Sequence, residues 1–262
     1  MAQGQRGAVA QSRGVKRPGF WRDVAPDFAT ARAELDAWLY EHLGGVVSSG
    51  PFKGTMLPQQ LAWKDSRLSP VLLGCYEEEL HGVLRQEIER LGALATPKIA
   101  VIGCAEGYYA VGMKRLLPRA TVFAVDSDEV AIALIAQTAR LNEVDLAIGR
   151  ELTEVFSYLD LIISDCEGAE VAYFDRERFP IDATANAIIE IHNWAHQKTD
   201  EIILNRFRGT HHINMLLEGP RNPNKFEELA GMASDYRWMA VSEGRPARMC
   251  WYHMIARGAA FA

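Results

Sequence analysis

The feature that most constrains the fold is an alternation of short apolar runs with helical patterns, which begins after Pro97. Short apolar runs bounded by turn residues are typical of strands buried on both faces, and helices between such strands favour a parallel sheet. Strands are predicted at residues 98–102, 121–125, 159–164, 187–191, 212–217 and 249–255, and helices at 108–117, 129–141, 170–174 and 199–207. We therefore predict a doubly wound, mostly parallel α/β domain over residues 97–262.

Residues 23–96 are predicted to form a helical extension in front of this domain. Apolar residues at helical spacing indicate a first helix. A second helix is predicted from about Tyr76 to Gly92, with the acids Glu77–Glu79 in its positively polarised first turn. The stretch between the two helices is rich in Gly and Pro, and we predict that segment 46–80 is a lid over the ligand site.

Composition and charge narrow the range of functions. Twenty-eight Lys and Arg against 34 Asp and Glu give a net charge of −6, so no overall positive field favours DNA or RNA. The four cysteines form no CxxC pair, which predicts reduced thiols, and no apolar stretch is long enough to cross a bilayer. Residues 1–22 are basic, lack an apolar signal-peptide core and are predicted to be disordered. We expect a cytoplasmic protein without nucleic-acid or membrane partners.

A glycine-containing loop follows the first predicted strand. It reads Gly103-Cys104-Ala105-Glu106-Gly107 and leads into a helix at Tyr108. Two glycines let the backbone approach a ligand closely, and the N–H groups of the helix can face a polar group. A plain strand-to-helix turn explains the same residues, so this loop indicates a ligand site only together with other residues.

Asp126 supplies that second signal, because it closes the second predicted strand and is followed by Ser127. An acid at this place can accept hydrogen bonds from both hydroxyls of a ribose, which indicates a cofactor that contains adenosine. The loop lacks the third glycine of a pyrophosphate cradle, so S-adenosylmethionine fits better than NAD. The alternative is that Asp126 caps the helix after it.

An acid-rich turn follows the fourth predicted strand, in Asp165-Cys166-Glu167-Gly168-Ala169-Glu170. Ligands of open α/β sheets bind outside the carboxyl ends of the strands, so this turn is expected to face the same crevice as the glycine loop. The alternative is a solvated helix start whose acids lie at the positive end of the helix.

Glu190 and His192 lie at the end of the fifth predicted strand, where alternation places both side chains on one face. A neutral imidazole at this place is a candidate general base, with Asp165 beside it. Two alternatives stay open, which are a structural, hydrogen-bonded His and a divalent cation held by Asp165, Glu190 and His192. We predict the general base and no metal.

With these residues, the chain resembles the class I S-adenosylmethionine-dependent methyltransferases and, among them, the FkbM-type branch. The resemblance lies in residues 50–54, 73–80, 102–109, 123–126, 141–142 and 165–170, the last of which match the D-x-E-G-x-E of that branch. Val101 departs from the branch, which often has an acid there, so Glu106 is expected to take over part of that acid's role. The resemblance implies a seven-stranded Rossmann-like methyltransferase sheet with an N-terminal helical extension, and S-adenosylmethionine as cofactor.

The resemblance also implies methyl transfer to a hydroxyl of a small molecule, such as a sugar or a natural-product intermediate. His192 and Asp165 are the predicted catalytic residues. The predicted cofactor contacts are Gly103, Cys104, Ala105, Glu106, Gly107, Tyr108, Asp126, Ser127 and Asp165, and the predicted substrate or lid contacts are Lys53, Tyr76, Glu167, Glu190 and Arg221. The alternatives are an NAD-dependent oxidoreductase and a catalytically weak module that binds S-adenosylmethionine.

Overall fold

The computed structural model describes residues 27–60, 68–152, 158–175, 184–193 and 198–258. Its strands are β1 (Lys98–Ile102), β2 (Thr121–Val125), β3 (Ala147–Gly149), β4 (Leu161–Ser164), β5 (Asn186–Ile191), β6 (His211–Leu217) and β7 (Cys250–Ala256). Its helices are α1 (Phe28–Leu43), α2 (Leu68–Leu73), α3 (His81–Gly92), α4 (Tyr108–Leu116), α5 (Glu129–Leu141), α6 (Glu170–Tyr173), α7 (Thr199–Phe207) and α8 (Ser234–Val241).

The seven strands form one sheet in the order β3-β2-β1-β4-β5-β7-β6. Strands β1 to β5 run parallel, and β7 runs antiparallel to both β5 and β6. The chain moves outward from β1 to β2 and β3 on one side and continues with β4 and β5 on the other. The strand order therefore reverses between β1 and β4, the place where ligands bind in open α/β sheets. The predicted doubly wound, mostly parallel seven-stranded sheet is confirmed.

The predicted strands and helices of this domain are found with bounds that differ by no more than one or two residues. Three elements were not predicted. Strand β3 has only three residues and no apolar run, α2 carries Pro70 in its first turn, and α8 exposes Trp238 and lacks a clear apolar period. Pro is tolerated in the first turn of a helix, because the N–H groups there have no partner within the helix.

The start of the second predicted helix is corrected by the structure. Helix α3 begins at His81, and a short 3₁₀ turn over Glu78–Leu80 precedes it. Glu77 lies outside both, with a φ of 46° and a buried side chain. The buried side chains of the 3₁₀ turn and α3 include Leu80, Leu84 and Leu91, as the apolar spacing predicts.

The sheet buries both faces, as a parallel sheet covered by helices does. Side chains alternate along β1, so that Ile99 and Val101 face one apolar cluster while Ala100 and Ile102 face the other. The first cluster takes in α1 to α4, and the second takes in α7 through Ile203. Val101 is therefore a core residue, for which an apolar side chain is suited.

Part of the predicted lid packs firmly on the domain. Phe52 is fully buried, and its ring lies where a side chain on Gly112 would stand. The amide of Asn142 accepts a hydrogen bond from the backbone of Met56 at 2.8 Å and returns one at 2.7 Å. Residues 61–67 of segment 46–80 and the predicted tail 1–22 lie outside the described residues, so the lid stays a prediction. Within the described part, no helix is long and apolar enough to span a membrane.

Candidate functional site

A cavity of about 360 Å³ opens at the carboxyl ends of β1, β2, β4 and β5. This volume is within the range of small-molecule and cofactor sites, which begins near ~300 Å³. The cavity brings together most of the residues that the sequence singles out, namely Tyr76, Gly103, Ala105, Glu106, Asp126, Ser127, Asp165, Glu167, Glu190 and His192. Val71 of the predicted lid segment also lines it, together with residues that the sequence did not predict, namely Tyr173, Glu243, Gly244, Arg245, Pro246 and Met249.

The first glycine of the loop after β1 is required because another loop of the protein packs closely against it. Gly103 has a φ of 76°, and a Cβ atom on it would lie 1.6 Å from the carbonyl oxygen of Asp165. The close approach that requires glycine is therefore between the loops after β1 and β4. Ala105 and Gly107 also adopt positive φ angles, of 49° and 91°, so the loop makes two further turns before α4.

Asp126 lies at the end of β2 with its carboxylate buried against the cavity. One oxygen accepts the N–H of Ala105 at 3.0 Å and the other accepts the N–H of Asp128 at 2.9 Å. The cap of α5 is Asp128, whose side chain accepts the N–H of Val130 at 2.9 Å. Asp126 is therefore not the helix cap, and each of its oxygens keeps a lone pair that a ribose hydroxyl could use.

His192 is held by a buried carboxylate on the side away from the cavity. Its Nδ1 donates to Oε1 of Glu170 at 2.5 Å, and the same oxygen accepts the N–H of Gly168 at 3.0 Å. Glu170 is fully buried, which argues against a solvated helix-start acid. The sequence motif contained Glu170 but gave no reason to pair it with His192.

The other ring nitrogen of His192 faces three carboxylates. Its Nε2 lies 3.6 Å from Asp165 Oδ1, 3.7 Å from Glu167 Oε2 and 3.9 Å from Glu190 Oε2. Burial lowers the pKa of His192, but the hydrogen bond to Glu170 and the carboxylates outweigh burial, so this pKa lies above its ordinary value. The imidazole of His192 and the strand-end acids Asp165 and Glu190 thus lie close together on the wall of the cavity.

Asp165 and Glu190 carry more negative charge than their surroundings neutralise. Burial, with the charge of Glu77 next, raises the pKa of Asp165 to about 7. Burial and the neighbouring Asp165 raise the pKa of Glu190 well above its usual range. Crowded carboxylates resist ionisation together, so one proton is favoured in this part of the site.

The cation that opposes these acids is Arg245, which the sequence analysis missed. Its guanidinium pairs with Glu77 at 2.7 Å, with Glu243 at 2.8 Å and with Glu190 Oε1. It also lies over the ring of Tyr76 at 5.7 Å from the ring centroid. The partners are up to 168 residues apart in the sequence, so no local pattern could reveal the network.

Several predicted site residues do not line the cavity. Lys53 is exposed, and its carbonyl oxygen accepts from Arg115 near the far end of α4. Arg221 is buried and pairs with Glu79 and Glu243, which gives it a structural position behind the cavity wall. Cys104, Gly107 and Tyr108 support the loop from inside, and the thiol of Cys104 donates to the carbonyl of Val101 at 3.1 Å.

The crowded acids make folding stability depend on pH in a defined direction. Asp165, Glu190 and His192 all bind protons more tightly in the folded chain than at their ordinary pKa values. Their stabilising protonation is complete at low pH and lost as the pH rises through the folded pKa, near 7 for Asp165. In buffer with chelator, we expect the free energy of unfolding to fall between pH 5 and 7, where the unfolded Asp165 is ionised and the folded one still holds its proton, and Asp165→Asn to reduce that slope by about 1 kcal/mol per pH unit.

Urea denaturation at pH 5, 6 and 7 measures this slope. Glu129→Gln is the control, because Glu129 is largely exposed and pairs with Arg150 on the surface. The control should keep the wild-type slope. A slope that Asp165→Asn leaves unchanged would show that Asp165 ionises normally.

No family model matches the chain. A stretch of 70 residues is 34% identical to release factor glutamine methyltransferase of Flavobacterium psychrophilum. This stretch is 27% of the chain and 24% of that enzyme, so the match spans about a quarter of the curated relative.

Solved structures also resemble the chain. A Listeria monocytogenes protein described as a class I S-adenosylmethionine-dependent methyltransferase superposes with a TM-score of 0.49 at 10% identity, over 90% of this chain and 71% of that one. TrmK of M. capricolum, in complex with S-adenosylhomocysteine, gives a TM-score of 0.43 at 10% identity, over 67% of this chain and 68% of that one.

Proposed function

We propose that the chain is an S-adenosylmethionine-dependent methyltransferase of the FkbM-type branch that methylates a hydroxyl of a small molecule, such as a sugar or a natural-product intermediate. The observation that carries the proposal is the cavity at the strand-order reversal, with the buried Asp126 at one end and the cluster of Asp165, Glu190 and His192 at the other. The curated relative that matches 70 residues is named as a methyltransferase, which agrees with this proposal.

The residues at the β1 and β2 end suit S-adenosylmethionine better than a dinucleotide. Asp126 offers carboxylate oxygens to ribose hydroxyls, and Ser127 lies beside it on the wall. The Asp165 backbone fills the space next to Gly103, which leaves no glycine cradle for a pyrophosphate. The wall also carries the acids Glu106 and Asp126, which repel phosphate and attract a positively charged sulfonium. When bound, S-adenosylmethionine supplies a methyl group that its sulfonium has already activated.

The other end of the cavity suits an acceptor that must lose a proton. Asp165, Glu190 and His192 lie close together there, and Tyr76 and Tyr173 also line the cavity. We assign to this cluster the binding of the acceptor oxygen and the removal of its proton. The Asn-Pro-Pro-Tyr type of motif that serves exocyclic amines is replaced by residues 165–168, which favours oxygen over nitrogen as the acceptor.

Calorimetry with S-adenosylhomocysteine and with NAD tests the cofactor. We expect binding of S-adenosylhomocysteine and weak or no binding of NAD. Asp126→Ala is expected to weaken that binding by about 1.5–3 kcal/mol, because a buried carboxylate makes charge-assisted hydrogen bonds to hydroxyls. The melting temperature must be measured beside it, since Asp126 also holds the N–H groups of Ala105 and Asp128.

Asp128→Ala is the matched control, because Asp128 is an acid two residues away that caps α5 and is not part of the cavity wall. It is expected to lower stability by about 1 kcal/mol and to leave the dissociation constant unchanged. Tight NAD binding without S-adenosylhomocysteine binding would favour an oxidoreductase instead. Binding of S-adenosylhomocysteine without turnover over a broad panel of hydroxyl acceptors would favour a non-catalytic binding module.

A further inference from the structure

We propose that Asp165, Glu190 and His192 form a binding site for one divalent cation at the acceptor end of the cavity. Each residue offers one ligand atom, and these atoms all lie within 4.8 Å of one another. The part that the cation would play in methyl transfer rests on the proposed function, whereas the binding of the cation does not.

The spacing of the three donors is that of ligands around an ion. His192 Nε2 lies 3.6 Å from Asp165 Oδ1 and 3.9 Å from Glu190 Oε2. Both distances are longer than a hydrogen bond. Ligands bound at about 2.1 Å in octahedral geometry lie about 3 Å apart, so the two pairs with His192 need to close by less than about 1 Å, and the two carboxylate oxygens, which lie within 4.8 Å of each other, by less than about 2 Å.

The carboxylate behind His192 is the first observation beyond proximity that indicates a metal. Glu170 is fully buried and takes the Nδ1 proton of His192 at 2.5 Å. This bond fixes the tautomer whose Nε2 lone pair faces Asp165 and Glu190. Metal-binding histidines almost always donate their second ring N–H to such a partner, which orients the ring and makes the ligand nitrogen more basic.

A buried carboxylate oxygen that lacks a partner is the second observation. Oδ1 of Asp165 is inaccessible to solvent and has no hydrogen-bond partner among the described residues. It is the oxygen that lies 3.6 Å from His192 Nε2. A buried acceptor without a donor is destabilising, and more so when it is charged, so a bound cation would supply the partner that this oxygen lacks.

The second carboxylate oxygen of Glu190, Oε2, also lies near Nε2 of His192. Arg245 pairs with Oε1 of Glu190, which leaves Oε2 on the side of His192. Arg245 also pairs with Glu77 and Glu243, so one positive charge is shared among three carboxylates.

One imidazole and two carboxylates form a mixed nitrogen and oxygen set that suits first-row divalent cations such as Mn²⁺. A cation at this place would bind the acceptor oxygen and lower the pKa of its hydroxyl, as bound cations do for water. His192 would then act as a ligand rather than as the base, and the acidified hydroxyl would release its proton to water instead of to the imidazole.

Titration of the chelator-treated, dialysed full chain with Mn²⁺ tests the site, by calorimetry and by the electron paramagnetic resonance signal of free Mn²⁺. We expect one Mn²⁺ per chain. Asp165→Asn, Glu190→Gln and His192→Ala should each weaken binding at least tenfold. Glu167→Gln is the matched control, since Glu167 is a carboxylate 3.7 Å from the same Nε2 but is 59% exposed and outside the three-residue cluster. It should bind within about threefold of the wild type.

Circular dichroism and melting curves confirm that each variant is folded, and the two amide variants keep side-chain shape where His192→Ala does not. The proposal is overturned if the wild type binds no Mn²⁺, or if Glu167→Gln weakens binding as much as Asp165→Asn, which would indicate diffuse attraction by charge. Calorimetry with S-adenosylhomocysteine in excess chelator separates the two proposals. Cofactor binding without Mn²⁺ binding overturns the metal site alone, and Mn²⁺ binding without cofactor binding overturns the methyltransferase function and upholds the metal site.

Discussion

Gly103→Ala is expected to lower the free energy of unfolding by at least about 4 kcal/mol, an exceptionally large loss for one methyl group. The added Cβ would lie 1.6 Å from the carbonyl oxygen and 2.6 Å from the carbonyl carbon of Asp165. A φ of 76° adds about 1–2 kcal/mol for any residue with a Cβ. The strain cannot relax easily, because the N–H of Asp165 donates to Ile102 at 2.9 Å and holds the two loops together.

Urea denaturation followed by circular dichroism measures this loss. Gly82→Ala is the matched control, because Gly82 lies inside α3 with open space around its Cα. Ala favours helix over Gly, so the control should be as stable as the wild type or more stable by up to about 1 kcal/mol. A Gly103→Ala chain with wild-type stability would show that the loops after β1 and β4 separate readily, and a pyrophosphate could then find space beside Gly103.

The sheet could be predicted from the sequence because its signals are local. Strands β1 and β2 are uninterrupted apolar runs between turn residues, and their bounds match the prediction. The three residues of β3 carry no such signal and pair only with β2 at an edge, so tertiary pairing rather than pattern makes them a strand. The helix prediction was wrong at Glu77, because acids at the start of an apolar helical pattern are typical of the first turn of a helix. The sequence does not show which partner such an acid contacts in the folded chain.

The candidate site likewise has residues whose meeting the sequence predicts and contacts that it does not predict. Asp126, Asp165, Glu190 and His192 stand at strand ends, and topology alone brings strand ends together, so their meeting could be predicted. The contacts of Glu170 and Arg245 depend on side-chain packing between distant segments. The sequence shows a charge at each of these positions but not which opposite charge it meets.

Arg245→Ala is expected to lower the free energy of unfolding at pH 8 by about 3–5 kcal/mol, the usual cost of removing one partner from buried ion pairs. The substitution leaves Glu77, Glu190 and Glu243 buried without their shared cation. It also removes the guanidinium that lies 5.0 Å from the ring centroid of Trp251. The loss should exceed that of any exposed ion pair on this protein, since surface pairs contribute about 0–1 kcal/mol.

The pH dependence of this loss distinguishes unpaired charge from lost packing. Without Arg245, the already raised pKa values of Glu190 and Glu243 rise further, so the variant should regain stability as the pH falls and these carboxyls are protonated. Denaturation of Arg245→Ala at pH 5 and pH 8 measures the recovery, and Arg150→Ala, which breaks an exposed pair with Glu129, is the control that should change little at either pH. A loss that is equal at both pH values would mean that Arg245 stabilises the fold through its contacts with Tyr76 and Trp251. The acids around His192 would then be protonated already in the wild type, and their attraction for a cation would weaken accordingly.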